Sequence, residues 1–237
     1  MSAFLKNERL LVIAPHCDDE TFGCAGTIIK AKDMGCQVYV MVVSVGDIRQ
    51  YHKAQKLIKA DERTKEFRKA MQFLKVDDYA ILFQDTQKHM RLDAIPRRTL
   101  VDLIENDSKL SIEKLKPTII AIPAISYNQD HEAVFKAAFT ACRPHIPTAK
   151  PFQKIVLAYD SPTLSWDIYN RGFHPNFYVD ISNYIDKKMQ AISLYKSQLR
   201  LYIHQHSKET IMSLAILRGR EVAVEAAEAY MCYRFVI

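Results

Sequence analysis

Two short clusters of histidine and carboxylate side chains stand out in this sequence of 237 residues. The first, His16-Cys17-Asp18-Asp19-Glu20, places one imidazole and three carboxylates within five consecutive residues. The second, residues 127–131 (Tyr-Asn-Gln-Asp-His), supplies another imidazole and another carboxylate. Imidazole nitrogens and carboxylate oxygens are the ligands that zinc and related divalent metals take in proteins. The two clusters together indicate a candidate metal site.

Both clusters follow predicted buried strands. Apolar runs rich in β-branched residues predict strands over residues 9–15 and 118–123, directly before the clusters. Helical spacing predicts helices over residues 20–34 and 131–142, directly after them. Because the carboxyl ends of parallel strands meet at one edge of a sheet, we expect the two clusters to converge there.

The rest of the chain continues this alternation of strands and helices. Further strands are predicted over residues 37–44, 79–83, 155–159 and 177–181, and further helices over residues 61–74 and 100–106. Residues 184–204 and 207–233 are predicted to be mostly helical. The alternation predicts right-handed crossovers and an α/β fold, with a mainly parallel sheet flanked by helices and a helical C-terminal part. We expect a single domain spanning residues 1–237.

The ligand types favour metal-assisted hydrolysis. Catalytic zinc takes three protein ligands and keeps one position for water, and two histidines with one carboxylate suit it. His16, Asp19 and the imidazole of the second cluster would supply that set, which leaves Asp18 to take a proton from water. The alternative is that Asp18 or Asp19 only caps a helix. The presence of two clusters at strand ends favours the metal.

Composition excludes several other classes of protein. Apolar residues make up 49% and charged residues 25%, as in ordinary globular domains. No apolar run reaches the ~20 residues of a membrane span, and the N-terminus lacks the apolar core of a secretory signal. The five cysteines are irregularly spaced and form no Cys-x-x-Cys pair, so we expect a reducing cytoplasm.

The positive charge is concentrated in one segment. Residues 49–69 carry eight bases and three acids, which is +5 of the net charge of +6. This segment is either a solvated helix face or a rim that attracts an anionic substrate. Nucleic acid is not expected as a partner, because the segment lacks interleaved aromatic residues and a recognisable binding motif.

Other motifs are weak or absent. Gly23 and Gly26 form only a Gly-x-x-Gly, not the dinucleotide-binding Gly-x-Gly-x-x-Gly. The remaining histidines lack carboxylate-rich surroundings and are assigned to the surface: His52, His89, His145, His174, His204 and His206.

The two clusters resemble the signatures of the LmbE-like (PIG-L-like) metal-dependent N-deacetylases. Residues 14–20 are similar to that family's Ala-His-Pro-Asp-Asp-Glu after a strand, with Cys17 at the usual proline. Residues 128–131 are similar to its His-Pro-Asp-His or His-Gln-Asp-His, with Asn128 at the usual first histidine. Weaker similarities extend over residues 63–76, 84–86, 173–181 and 195–198.

The resemblance implies a Rossmann-like fold and a hydrolase that uses Zn²⁺, with Fe²⁺ as the other candidate. Its expected substrate is a small N-acetylated sugar conjugate of the N-acetylglucosamine type, anionic in view of the basic segment, from which acetyl is removed. The implied metal ligands are His16, Asp19 and His131. The implied catalytic residues are Asp18 as general base, Asp130 orienting a metal-binding histidine, and Asn128, which can donate a hydrogen bond but cannot titrate. The implied substrate contacts are Arg63, Asp85 and Tyr127.

Several alternatives stay open on the sequence alone. The substrate could instead be the amide of a thiol conjugate or an antibiotic, or the chain could be an inactive sugar-binding homologue. Arg63 could form a surface ion pair with Glu66, Asp85 could be a turn residue, and Tyr127 could be a buried aromatic. The sequence does not decide between a monomer and a homo-oligomer.

Overall fold

Seven strands form one sheet that positions the rest of the chain. The computed structural model describes residues 5–49, 56–161 and 173–236. The strand order is β3-β2-β1-β4-β5-β7-β6. The strands are β1 (Arg9–His16), β2 (Gln37–Val45), β3 (Asp78–Gln84), β4 (Ile119–Pro123), β5 (Ile155–Tyr159), β6 (Phe177–Asp180) and β7 (Ala227–Phe235).

The first five strands run parallel, and the direction of winding changes at their centre. β2 and β3 lie on one side of β1, while β4 and β5 lie on the other. β1 and β4 are direct neighbours, paired from Leu10–Ile119 to Val12–Ala121. Ligands of open α/β sheets bind at such a switch point, outside the carboxyl ends of the strands. The two polar clusters leave the sheet at this place.

Helices cover both faces of the sheet within the described ranges. Along β1, Leu10, Val12 and Ala14 pack into one apolar cluster, whereas Leu11 and Ile13 pack into the other. A strand buried on both faces reads as a continuous apolar run, which is why β1 is recognisable in the sequence. The helices are α1 (Asp19–Asp33), α2 (Ala60–Phe73), α3 (Arg97–Asp102), α4 (Ile112–Leu115), α5 (Gln129–Ala141), α6 (Ile185–Ile192) and α7 (Lys208–Arg220).

The α/β class and the mainly parallel sheet are confirmed, but the C-terminal prediction needs correction. The predicted helical stretch over residues 207–233 is helical only to Arg220, and β7 follows at Ala227. The alanines and glutamates of this segment are helix formers. β7 is a strand because it pairs antiparallel with both β5 and β6, which buries Ala227 and Tyr230. Of residues 184–204, only Ile185–Ile192 is α-helical.

Two glycines let α1 approach the sheet closely. A Cβ atom on Gly23 would lie 2.4 Å from Cδ2 of Tyr159, and one on Gly26 would lie 2.7 Å from Cγ2 of Ile181. The Gly-x-x-Gly therefore serves helix packing. The close packing fixes the distance of α1 from the sheet, and with it the position of Asp19 at the start of that helix.

A buried ion pair fastens the C-terminal elements to α1. Nζ of Lys188 lies 2.5 Å from Oε1 of Glu228, and both side chains are almost completely buried. Glu228 also accepts hydrogen bonds from the backbone N–H groups of Gly26 and Thr27, while Lys188 donates to the carbonyl of Phe22. The pair thus links α6 and β7 to the middle of α1.

No helix in the described parts of the chain combines the length and the apolar character that crossing a membrane requires.

We predict that Lys188→Met destabilises the protein strongly. The substitution leaves Glu228 as a buried carboxylate without its cation, which typically costs ~3–5 kcal/mol. Urea unfolding followed by circular dichroism measures the change. Lys109→Met is the matched control, because Lys109 forms an exposed pair with Asp78, and such pairs contribute at most ~1 kcal/mol. Equal losses in both variants would contradict the prediction.

Candidate metal centre

Three potential metal ligands meet at the switch point of the sheet. Oδ2 of Asp19 lies 3.3 Å from Nδ1 of His16 and 3.3 Å from Nε2 of His131. The ligand atoms of all three residues lie within 4.8 Å of one another. His16 ends β1, Asp19 begins α1, and His131 lies in the first turn of α5. Two imidazoles and one carboxylate in this proximity fit a zinc-type ion with an open position.

A tight turn between β1 and α1 brings His16 and Asp19 together. The backbone N–H of His16 donates to Oδ2 of Asp19 over 3.0 Å. The carbonyl of Asp18 accepts from the backbone N–H groups of Thr21 and Phe22, which starts the helix. Asp18 itself has φ 137°, a value that residues other than glycine rarely adopt. The turn therefore holds Asp18 in a strained conformation at the site.

Asp130 fixes the orientation of the His16 ring. Its Oδ2 accepts from Nε2–H of His16 over 2.9 Å, and its Oδ1 accepts from the backbone N–H of Leu92 over 2.9 Å. With Nε2–H donated to Asp130, Nδ1 is the nitrogen that faces Asp19, 3.3 Å from its Oδ2. Burial alone would lower the pKa of His16, but the hydrogen bonds to Asp130 and Asp19 raise it to about 9.

The neighbouring carboxylates Asp18 and Asp19 differ in proton affinity. Burial, and then the charge of Asp19, raises the pKa of Asp18 well above its ordinary value, against the opposing effect of Arg63. Burial would also raise the pKa of Asp19, but His131 and His16 hold it well below the ordinary value. Two neighbouring acids whose pKa values differ in this way are suited to different tasks. Asp19 stays ionised, and Asp18 can accept a proton.

Glu20 and Tyr195 support the backbone of Asp18. Oε2 of Glu20 accepts from the N–H of Asp18 over 3.1 Å. Oε1 of Glu20 accepts from the hydroxyl of Tyr195 and, over 2.8 Å, from the hydroxyl of Thr21. Glu20 and Tyr195 are both fully buried. The third carboxylate of the first cluster therefore anchors the turn.

Arg63 and His89 form a second buried layer beside the centre. Nη1 of Arg63 donates to Nε2 of His89 over 2.5 Å, and Nδ1–H of His89 donates to Oγ of Ser44 over 3.0 Å. The His89 ring packs edge-on against His16 at 5.0 Å between centroids. Burial, together with His16 and Arg63, lowers the pKa of His89 to about 2, so this ring is neutral.

Two sequence interpretations are corrected here. His89, assigned to the surface, is 4% exposed and lies against the centre. The alternative of a surface pair between Arg63 and Glu66 is wrong, because Arg63 is buried and Glu66 accepts from the N–H and hydroxyl of Ser197. Nε of Arg63 is buried and has no hydrogen-bond partner among the described residues.

Each of three other predicted residues has a hydrogen-bond partner in the surrounding structure. Asn128 caps α5, with its Oδ1 accepting from the N–H of Asp130 over 2.9 Å. Tyr127 is 44% exposed, so the buried-aromatic alternative is wrong, and its hydroxyl accepts from Nε2 of Gln205. Asp85 closes a turn, with Oδ1 accepting from the N–H of Gln87 over 2.8 Å.

Sequence reasoning missed two residues that come from the loop after α6. Arg200 is half-buried and close enough to Asp18 and Arg63 for both charges to act on its pKa, which burial lowers. His206, assigned to the surface, is half-buried, and Asp19 and His131 both act on its pKa, which burial lowers. No local pattern marks either residue, because both arrive about seventy residues after the second cluster.

The basic segment over residues 49–69 does not form a uniform rim. Lys59 pairs with Asp47 at 2.8 Å, and Arg63 points into the centre. Lys65, Arg68 and Lys69 are exposed on α2. Lys53 and His52 lie outside the described residues.

Comparison with known proteins agrees with this geometry. Residues 11–142, which contain both clusters, match the GlcNAc-PI de-N-acetylase (PIG-L) family. The chain belongs to the PIG-L family. The match spans β1 through α5, and so includes the three potential metal ligands, Asp18 and Asp130.

Relatives of this PIG-L family chain include named deacetylases. An uncharacterized deacetylase, YaiS, from Escherichia coli is 26% identical over 198 residues, covering 83% of this chain and 95% of that protein. Diacetylchitobiose deacetylase from Thermococcus kodakarensis is 21% identical over 225 residues, covering 90% of this chain and 78% of that protein.

Solved structures share the fold over nearly the whole chain. The conserved protein TT1542 from Thermus thermophilus superposes with a TM-score of 0.71 at 25% identity, covering 96% of each chain. GalB from Pseudomonas putida, a 4-carboxy-2-hydroxymuconate hydratase, reaches 0.66 at 18% identity, covering 97% of this chain and 98% of that one. The second likeness concerns the fold alone. The same fold hosts different reactions, so the site and not the fold determines the chemistry.

We predict that Tyr195→Phe destabilises this PIG-L family protein. Removing the hydroxyl takes one donor from the buried carboxylate of Glu20, a loss that typically costs ~1–3 kcal/mol. Urea unfolding measures it, with Tyr202→Phe as control, because the Tyr202 side chain lies in an exposed loop. An unchanged unfolding midpoint in Tyr195→Phe would show that this hydrogen bond contributes nothing.

Proposed function

We propose that the protein is a zinc-dependent deacetylase that hydrolyses the N-acetyl group of a sugar of the N-acetylglucosamine type. One observation carries the proposal: the His16, Asp19 and His131 ligand atoms lie together beside Asp18, a buried carboxyl group whose pKa is raised. A cation site with an adjacent base is what amide hydrolysis by activated water requires. The family match and the deacetylases among the relatives support the same reaction.

The donor set fits Zn²⁺, and Fe²⁺ is the second candidate. His16, Asp19 and His131 would hold the ion, and Asp130 would keep His16 in the tautomer that offers Nδ1. When bound, such an ion lowers the pKa of water and polarises a carbonyl group.

Asp18 acts as the general base in this proposal. Its raised pKa makes it a better proton acceptor than an ordinary aspartate while Asp19 remains ionised. The hydrogen bond from its backbone to Glu20 keeps its position during the reaction. Asp18 takes a proton from the attacking water and then passes it to the nitrogen of the leaving amine. The C–N bond breaks, and acetate and the free amino sugar are released.

Substrate recognition falls to the polar groups around Asp18. Nε of Arg63 is buried without a partner among the described residues, so a sugar hydroxyl or a charged substituent would satisfy it. Arg200 adds a second cation close to Asp18. Two guanidinium groups at the site favour an anionic conjugate, such as a nucleotide-linked N-acetyl sugar. Tyr127 and Asp85 are proposed as contacts farther along the sugar.

We predict stoichiometric metal binding that depends on His131. His131→Ala removes one of three ligands, so purified protein should contain much less zinc than the parent when both are prepared alike. Elemental analysis of the two proteins, together with circular dichroism to show equal folding, checks this. Equal zinc content in the two proteins would exclude His131 as a ligand.

We predict that Asp18→Asn loses most activity while keeping the metal. Asparagine has a similar shape but does not accept a proton near neutral pH, and loss of a general base typically costs ~10²–10⁴-fold in rate. Acetate release from N-acetyl sugars is the measurement. Asp61→Asn, on the exposed side of α2, is the control and should match the parent.

The same assay tests the function itself. Free, lipid-linked and nucleotide-linked N-acetyl sugars should be compared with an N-acetylated amine that carries no sugar, which is a simple amide. Acetate release from the sugars, abolished in Asp18→Asn, supports the proposal. Release only from the amide without a sugar, or full activity of Asp18→Asn, would overturn it.

A further inference from the structure

Amide hydrolysis places negative charge on the carbonyl oxygen of the acetyl group as water adds to it. A hydrogen-bond donor aimed at that oxygen is worth a large part of the rate. Asn128 stands where the sequence resemblance places a histidine, and its Oδ1 is already bonded to the N–H of Asp130 as a helix cap. This cap occupies Oδ1 but leaves the amide NH₂ of Asn128 as a donor, so the other polar groups close to the centre are alternatives to it.

Several of these groups already have partners, and the unpartnered Nε of Arg63 is assigned above to the substrate. Both ring nitrogens of His89 are bonded, to Arg63 and to Ser44. Nη1 of Arg200 donates to the backbone carbonyls of Ser197 and Leu199. His206 differs, because neither of its ring nitrogens has a hydrogen-bond partner within residues 5–49, 56–161 and 173–236.

The position of the His206 ring is set by packing. It lies edge-on against Phe22, with ring centroids 5.5 Å apart. Phe22 is three residues after Asp19 in α1, so the two share a helix face. The contact with Phe22 places the ring beside the first turn of α1, and Asp19 and His131 both act electrostatically on it.

The loop that carries His206 is closed by its own hydrogen bonds. The N–H of Arg200 donates to the carbonyl of His206 over 3.2 Å, and the N–H of His206 donates to Nδ1 of His204 over 3.0 Å. The next residue, Ser207, is buried and caps α7 by accepting from the N–H of Thr210. The backbone of His206 is thus fixed by its hydrogen bond from Arg200 and by the cap at Ser207.

We propose that His206 is a catalytic residue whose ring N–H donates a hydrogen bond to the acetyl carbonyl oxygen as charge develops there. The proposal rests on the proposed deacetylase function and adds a residue to it. His206 forms and breaks no covalent bond, and the proton for the leaving amine still comes from Asp18.

The surroundings keep this imidazole neutral. Burial lowers the pKa of His206 to about 4, His204, Arg200 and His131 act in the same direction, and Asp19 opposes them. A neutral ring carries one N–H at pH 7 and can donate it without giving up the proton. Neutral donors of this kind are effective where charge forms in a partly dry site.

The test compares three variants of the zinc-loaded protein. His206→Ala should lower kcat by ~10²–10³-fold, the usual effect of removing one such donor. KM and zinc content should stay near the parental values. His206→Gln, which retains an N–H donor, should recover part of kcat. His145→Ala, on an exposed loop, is the matched histidine control and should equal the parent.

Three outcomes would overturn the proposal. Parental kcat in His206→Ala would show that the ring has no role. Loss of zinc in that variant would make His206 a ligand instead. Equal kcat in His206→Ala and His206→Gln would show that the N–H is not what matters.

A second measurement separates this proposal from the proposed function. Acetate, the expected product, offers oxygens to the same donor, so its addition should shift the ¹⁵N NMR signals of the His206 ring. The signals that shift should be missing from the spectrum of His206→Ala, which assigns them to this ring. They should be present and shift in the same way in His145→Ala. If the parent releases no acetate from any substrate, the proposed function fails, while the titration still tests the donor. No response of the His206 signals would overturn the proposal even in an active enzyme.

Discussion

One carboxylate, Asp130, joins the separate chain segments that build the centre. It accepts from the ring of His16 at the end of β1 and from the backbone of Leu92 in the segment before α3, while lying next to His131 in α5. A fully buried carboxylate is costly unless its oxygens are hydrogen-bonded. Asp130 meets that demand only when β1, α5 and the loop bearing Leu92 are all in place. The geometry of the two histidines is therefore tied to the packing of the sheet itself.

The second constraint is the crowding of negative charge in residues 18–20. Like charges this close raise one another's proton affinity, and burial adds to the effect. Each carboxylate has different partners: histidines for Asp19, a pair of hydroxyl groups for Glu20 and, within the described residues, no ion-pair partner for Asp18. Asp18 consequently has the raised pKa of the pair that it forms with Asp19. Three neighbouring acids therefore differ in partners and in proton affinity because their surroundings differ.

The sequence allowed the parallel strands and the three potential ligands to be predicted for a simple reason. Core strands appear as apolar runs, and the ligands lie within a few residues of the ends of such runs. β7 could not be predicted, because its alanine- and glutamate-rich start favours a helix and only pairing with β5 and β6 makes it a strand. His89 and His206 carry no local signal at all. Their proximity to the centre depends on contacts made across the whole fold.

The C-terminal third of the chain contacts both α1 and the candidate metal centre. The Lys188–Glu228 pair fastens α6 and β7 to the middle of α1, and Tyr195 reaches Glu20 at the start of the same helix. Between these attachments and α7, the chain delivers Arg200 and His206 to the centre. The potential metal ligands come from one part of the sequence and these further polar groups from another. Changes in the late loop can therefore alter the polar groups beside the centre without altering residues 16–19 or His131.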